Sequence, residues 1–252
     1  SSDLAVMRTS LIPGLLGVAV HNIKRQRPRV RIFETGLRFF PDASFTQRPA
    51  LGLLICGSQS PQRWSGQSDS VDFYDLKGEV QALLAGVAGA LEFRSAVRSG
   101  LHDGQTAEVL LDGAVIGVIG RIHPTAASEL DLPRHTYVAE LDLEAITQRI
   151  VPQYQDISRY PETRRDLAVV VDQTVPAMEV LALARSAAGP GVSDALIFDV
   201  YEGEGIAKNE KSLAIGLTFR DQSRTLTDEE ISESLTQVIV SLEEKFSAKL
   251  RH

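Results

Sequence analysis

The succession of hydrophobic periods after residue 158 restricts this chain more than any single motif does. Leu167, Val169 and Val171 alternate with Asp166, Ala168, Val170 and Asp172, the period-two pattern of a half-buried strand, and Pro161 with four charged side chains precedes it as a linker would. A helical stretch over 174–188 follows, with Pro176 in its opening turn and Gly189-Pro190-Gly191 as its stop. After two further strand patterns comes a helix whose Ile231, Leu235, Val238, Ile239, Leu242 and Phe246 form one stripe. Thr227 with Glu230 spells a capping box, and Leu226 with Ile231 a hydrophobic staple. A short last strand ends at Leu250. Strand, helix, strand, strand, helix, strand is the split βαβ order, in which four strands make one sheet and both helices cover one face.

In this ferredoxin-like βαββαβ sandwich, strand parity separates a covered face from an open one. It predicts Leu196, Phe198 and Val200 toward the helices and Ile197, Asp199 and Tyr201 away from them. In the third strand Leu213, Ile215, Leu217 and Phe219 point in, and Ser212, Ala214, Gly216, Thr218 and Arg220 point out; in the last, Leu250 points in and Arg251 out. The open face then offers an acid, an aromatic ring, a hydroxyl and a guanidinium above small residues. Such a face suits unpaired bases, with Tyr201 to stack, Asp199 and Ser212 to pair with base edges, and Arg251 to meet an edge or a phosphate. A sheet simply wet on one side, with Tyr201 as a strand former, accounts for the same pattern, and parity alone favours that plainer account. Gly203 to Lys208 lies between two strands rather than before a helix, so it is expected as a hairpin loop and not a phosphate cradle.

With 252 residues, 43% of them apolar, the chain has material for two cores. The expected division is a first domain over 1–150, a linker over 151–157 and a second domain over 158–252. A lone cysteine, Cys56, excludes a disulfide framework and a cysteine-based metal site, as suits the cytoplasm. No apolar run approaches the roughly 20 residues of a bilayer span, and Ser1 to Arg8 lacks the form of a signal peptide, so no membrane partner is expected. The net charge is −7, and residues 158–252 hold 11 Lys and Arg against 16 Asp and Glu. That balance argues against binding nucleic acid by bulk charge, yet leaves room for a small site that reads bases.

In the first domain a helix is predicted over 11–24 after Thr9-Ser10, with Pro13 in its first turn. The basic stretch from Lys24 to Arg31 suits a phosphate patch, but a solvated helix end running into a strand accounts for it better. Strands are expected at Val30 to Phe33, Leu37 to Phe40 and Leu51 to Cys56, followed by a polar loop from Gly57 to Asp69 that contains Trp64. A helix begins after Asp72 as N-cap, its stripe formed by Leu76, Val80, Leu83, Leu84, Val87 and Leu91. Asp112-Gly113 closes a hairpin between Glu108 to Leu111 and Val115 to Ile119. His123-Pro124 opens a short helix, and Tyr137 to Leu143 is a last strand, which makes an α+β unit built on a mostly antiparallel sheet. His21, His102, His123 and His135 lack metal-ligand spacing, and His123 is expected to cap its turn rather than to catalyse.

These residues carry a resemblance. Tyr160-Pro161, Arg164-Arg165-Asp166-Leu167-Ala168, Phe198-Asp199-Val200-Tyr201, Lys211-Ser212-Leu213-Ala214, Phe219-Arg220-Asp221, Arg224 to Glu230 and Leu250-Arg251 resemble the ferredoxin-fold anticodon-binding domain of bacterial phenylalanine-tRNA ligase beta subunits. Upstream, Met7 to Leu16, Arg31 to Gly36 and Asp72 to Glu79 look like the catalytic-like module of that family, a class II synthetase antiparallel sheet that has lost its chemistry. The resemblance implies the C-terminal part of such a subunit, without a catalytic site, metal or cofactor of its own. It implies an alpha subunit as partner in a heterotetramer of two alpha and two beta chains, tRNA(Phe) as ligand, and ATP and magnesium at work in the holoenzyme. Asp199 and Tyr201 match the family's contacts to the first anticodon base, and Ser212 and Arg251 those to a later one. The competing expectation is a ferredoxin-like regulatory domain that binds a small metabolite at a subunit interface.

Overall fold

Leu51 to Cys56 are buried or half-buried at every position because they run through the middle of a sheet covered on both faces. The computed structural model describes residues 6–40, 46–64, 69–154, 156 and 158–251. The chain divides into two units between Gln153 and Tyr154. Part of the loop expected over 57–69 (residues 65–68) and part of the linker expected over 151–157 (Gln155 and Ile157) lie outside the described residues, as do Ser1 to Ala5 and His252.

The first unit holds strands β1 (Val30–Phe39), β2 (Gln47–Cys56), β3 (Leu91–Ser95), β4 (Leu101–Leu111), β5 (Ala114–Ile122) and β6 (Thr136–Asp142), and helices α1 (Ile12–Ile23), α2 (Phe73–Leu84) and α3 (Pro124–Glu129). The sheet order is β1-β2-β6-β5-β4-β3, antiparallel throughout. Successive side chains of β2 point to opposite faces. Leu51 and Ile55 join Leu76, Val80 and Leu84 of α2 in one core. Leu54 and Cys56 join Leu15 and Ala19 of α1 and Ala127 of α3 in another. Helix α1 sits close enough to the sheet that a Cβ on Gly52 would lie 2.8 Å from Leu15 Cδ1.

Two sequence expectations change here. The two runs at Val30 to Phe33 and Leu37 to Phe40 are one strand, paired without interruption from Val30 with Cys56 to Phe39 with Gln47. The polar residues between them are tolerated because β1 is an edge strand. Helix α2 stops at Leu84; Val87 still enters the core, but Leu91 opens β3. Two glycines, Gly86 and Gly89, the latter at φ +120°, interrupt the stripe that sequence spacing alone would continue. At the hairpin the expectation holds, with Asp112 and Gly113 both at positive φ (50° and 77°), as a type I′ turn requires.

The second unit contains β7 (Thr163–Asp172), α4 (Ala177–Ala187), β8 (Val192–Tyr201), β9 (Glu210–Phe219), α5 (Asp228–Phe246) and β10 (Lys249–Leu250), with sheet order β10-β7-β9-β8. Leu213, Ile215 and Leu217 of β9 are fully buried against Val180 and Ala184 of α4 and Ile231, Val238 and Leu242 of α5. Thr227 caps α5 as predicted: its Oγ1 accepts from Glu230 N at 3.3 Å, and Glu230 Oε2 accepts from Thr227 N at 2.9 Å. Leu250 is 37% exposed rather than buried, since a two-residue strand at the sheet edge ends before the helices cover it.

Candidate nucleic-acid interface

The helix-free face of the second sheet is assembled by register. On β9 the buried positions alternate with Ser212, Ala214, Gly216 and Thr218, so these four point away from the helices. Across them on β7 stand Val170, Ala168, Asp166 and Arg164. On β8 the partners are Tyr201 opposite Ser212, Asp199 opposite Ala214 and Leu196 opposite Gly216. The expected site residues Asp199, Tyr201 and Ser212 therefore share one face.

Strand β8 departs from simple alternation. Its register against β9 shifts between Ile197 and Asp199, a β-bulge that leaves Phe198 as the extra residue. Before the bulge, Ala195 and Ile197 pair with Leu217 and Ile215 and pack against the helix-side core; after it, Val200 pairs with Leu213. The expectation that Leu196 and Phe198 point in and Ile197 out is thus corrected. A bulge adds one residue on one strand only, so it reverses parity on that strand and leaves its neighbour unchanged. Leu196 lies on the open face, and Phe198 is 50% exposed with the Arg164 guanidinium 5.1 Å from its ring centroid.

Arg251 follows β10, and its backbone N–H donates to Ala168 O at 2.9 Å. From that far side of the sheet its side chain reaches across β7 and β9, and the guanidinium carbon lies 4.7 Å from the centroid of the Tyr201 ring. Tyr201 Oη donates to Glu204 O at 3.2 Å, which leans the ring toward the β8–β9 loop. Ser212, in register between Tyr201 and Val170, is only 3% exposed. It faces outward by register yet is covered by its long neighbours, which parity could not show. Asp199 is exposed, and among the described residues its carboxylate has no hydrogen-bond or ion-pair partner. The structure thus brings Tyr201, Ser212 and Arg251 into one cluster and sets Asp199 beside it.

The signals that could have found Arg164 and Phe198 are weak. Gly216 leaves a groove in which a Cβ would meet Arg164 Nη2 at 2.8 Å, and a glycine inside a strand is a mark of such close approach. Nothing in the pattern of β8 announces the bulge.

Elsewhere the motifs resolve into structural roles. His123 Nδ1 accepts from Thr125 N at 3.3 Å and caps α3, as expected. In the basic stretch, Arg29 donates to the carbonyls of Ser58 and Gln59, and Arg31 pairs with Glu79 on α2, so these two cations tie a loop and a helix to the sheet. The loop over 203–208 joins β8 to β9. Among the described residues no three His, Cys, Asp or Glu side chains stand close enough to hold a metal ion, and no helix is long and apolar enough to cross a membrane.

The first unit is an antiparallel α+β module and the second a ferredoxin-like sandwich with a polar, aromatic open face, and comparison with known proteins says which family combines the two. Residues 1–143 match the family model of the phenylalanyl tRNA synthetase beta chain CLM domain, and residues 158–251 that of the ferredoxin-fold anticodon binding domain. The chain is 45% identical over its whole length to the phenylalanine–tRNA ligase beta subunit of Pseudomonas fluorescens strain Pf-5, and 43% identical to that of Haemophilus influenzae strain Rd. It spans 32% of the length of each of these relatives. The chain belongs to the phenylalanyl-tRNA synthetase beta-chain family. These relatives are named as subunits of a ligase, and their names lend nothing to a regulatory metabolite-binding domain.

Proposed function

We propose that this chain is the part of a phenylalanine–tRNA ligase beta subunit that holds the anticodon of tRNA(Phe) on the open face of its second sheet and supports the catalytic alpha subunit through its first unit. The observation that carries the proposal is the cluster of Tyr201, Ser212 and Arg251 on a sheet face free of helices. Tyr201 offers a ring for the first anticodon base, and Asp199 accepts from that base's edge. Ser212 and Arg251 pair with a later base. In the conformation described, the Arg251 guanidinium sits on the ring and Ser212 lies covered, so a base enters as Arg251 swings away. The exchange is favourable in magnitude: a cation–π contact at an exposed site contributes about 0.5–1 kcal/mol, and a base stacked on an aromatic side chain about 1–3 kcal/mol. The released guanidinium is then free for a base edge or a phosphate.

In the holoenzyme, two alpha and two beta chains form the heterotetramer, ATP and magnesium serve aminoacylation on the alpha subunit, and the setting is the cytoplasm. The test is aminoacylation kinetics of the assembled enzyme with Tyr201→Ala. KM for tRNA rises by the equivalent of about 1–3 kcal/mol while phenylalanine and ATP kinetics stay as they were. Unaltered tRNA kinetics would overturn the site.

A further inference from the structure

Tyr201 under Arg251 is not the only ring–guanidinium pair on the open face. Phe198 under Arg164 repeats the arrangement at 5.1 Å, against 4.7 Å for the first pair. The bulge in β8 puts both rings on the same side of the sheet, and Phe198 keeps half its surface exposed where a core phenylalanine would be sealed. Arg164 is held by Asp166, to which its Nε donates at 2.8 Å, and Gly216 beneath gives the guanidinium room to lie low over the sheet. Tyr201 stands opposite Ser212, and Phe198 at the register break between Ile215 and Ala214. About two to three residues of strand rise separate them, roughly 7–10 Å at 3.3 Å per residue. Adjacent bases of a splayed single strand can span such a gap.

We propose that Phe198 and Arg164 form a second nucleotide-stacking position, which takes the unpaired base next to the one on Tyr201. This rests on the assignment of the open face to RNA. The ring supplies the stacking surface without sequence preference, because every base has a π-face. Arg164 leaves the ring as the base arrives and turns its guanidinium to the adjoining phosphate. The two rings together set the register of the loop on the sheet.

The test is equilibrium binding of a tRNA(Phe) transcript to the assembled enzyme, with Phe198→Ala, Phe198→Leu and Tyr201→Ala compared on intact RNA and on transcripts carrying a single abasic nucleotide at each anticodon-loop position. Phe198→Leu keeps the apolar contact and removes only the ring, so it separates stacking from folding. Both Phe198 variants are expected to weaken binding roughly 5- to 100-fold. That loss should vanish on one abasic transcript, whose missing base neighbours the one that silences Tyr201→Ala. If Tyr201→Ala weakens binding and the Phe198 variants do not, or if their loss is the same on every abasic transcript, the second position is overturned and the first stands. If none of the three variants changes binding, the open face itself is not the RNA site.

Discussion

The guanidinium carbon of Arg251 lies 4.7 Å from the centre of the Tyr201 ring, although the two residues stand at opposite edges of a four-stranded sheet. Only an arginine after the last strand and a tyrosine at the end of an edge strand, both on the helix-free side, can meet in this way. Ser212, opposite Tyr201, is 3% exposed, and the Arg251–Tyr201 contact couples Arg251 to the face that would receive a base. If Arg251 pairs with RNA when it leaves the ring, Arg251→Ala weakens tRNA binding. It also flattens the dependence of log K on log salt by up to about 0.7, the value for one phosphate contact on a single strand. Binding titrations between 50 and 200 mM salt would show this; an unchanged slope assigns Arg251 to a base edge instead.

The bulge in β8 makes a prediction about stability that simple alternation reverses. Ile197 packs against the helix-side core, whereas Val200, two positions beyond the bulge, is 53% exposed. Ile197→Ala should cost about 2 kcal/mol and Val200→Ala less than about 0.5 kcal/mol, read from urea midpoints at constant slope.

In the first unit, Glu140 is a buried carboxylate that organises the entry to α1. It accepts from Leu11 N at 2.6 Å, from Ser10 Oγ at 3.0 Å and from Arg38 Nη1 at 3.1 Å. Glu140→Ala leaves a largely buried guanidinium and a backbone donor without partners, and should cost about 3–5 kcal/mol. Loss of that much stability in thermal or urea unfolding is the expected result, and a shift below about 1 kcal/mol would contradict the role.

At the start of α5, two hydrogen bonds from Arg224, then the Thr227 N–H, hold the Glu230 carboxyl down at about 2, from an ordinary value of 4.5. A carboxylate whose pKa is lowered by folding contributes stability that is complete above the unfolded value. That contribution is lost as pH falls from about 4.5 toward about 2. Glu230→Gln should therefore remove part of the acid sensitivity of unfolding in that window and change little of its slope near neutral pH, as urea midpoints across pH 2–7 would record.

Cys56 is fully buried between α1 and the sheet, and burial pushes its thiol up. It should react with a thiol-specific reagent at neutral pH only as fast as the unit opens, and rapidly in denaturant. Fast labelling of the native protein would show that the core around α1 is loose.

Much of this fold was legible in the sequence because the deciding interactions are local. The Thr227–Glu230 box, the Asp112-Gly113 turn, the His123 cap and the stripe on α5 each need only residues within a few turns of one another. Where a residue's environment depends on a partner far along the chain, spacing failed. The stripe of α2 ran on through Leu91 because a periodic count cannot sense that Gly86 and Gly89 end the helix and that a strand awaits beyond.

What the residues determined alone is the alternation of β9, the start of α4 after Pro176 and the capped helix α5 of the second unit, since side-chain period, proline geometry and cap chemistry act within each element. From these follow the open face and the outward register of Tyr201 and Ser212. What only the assembled sheet decided is the bulge at Phe198, the covering of Ser212 and the reach of Arg251 over Tyr201. A bulge is set by how two strands pair, and a side chain lying across a sheet is set by what the intervening strands leave open; neither is a property of any one segment.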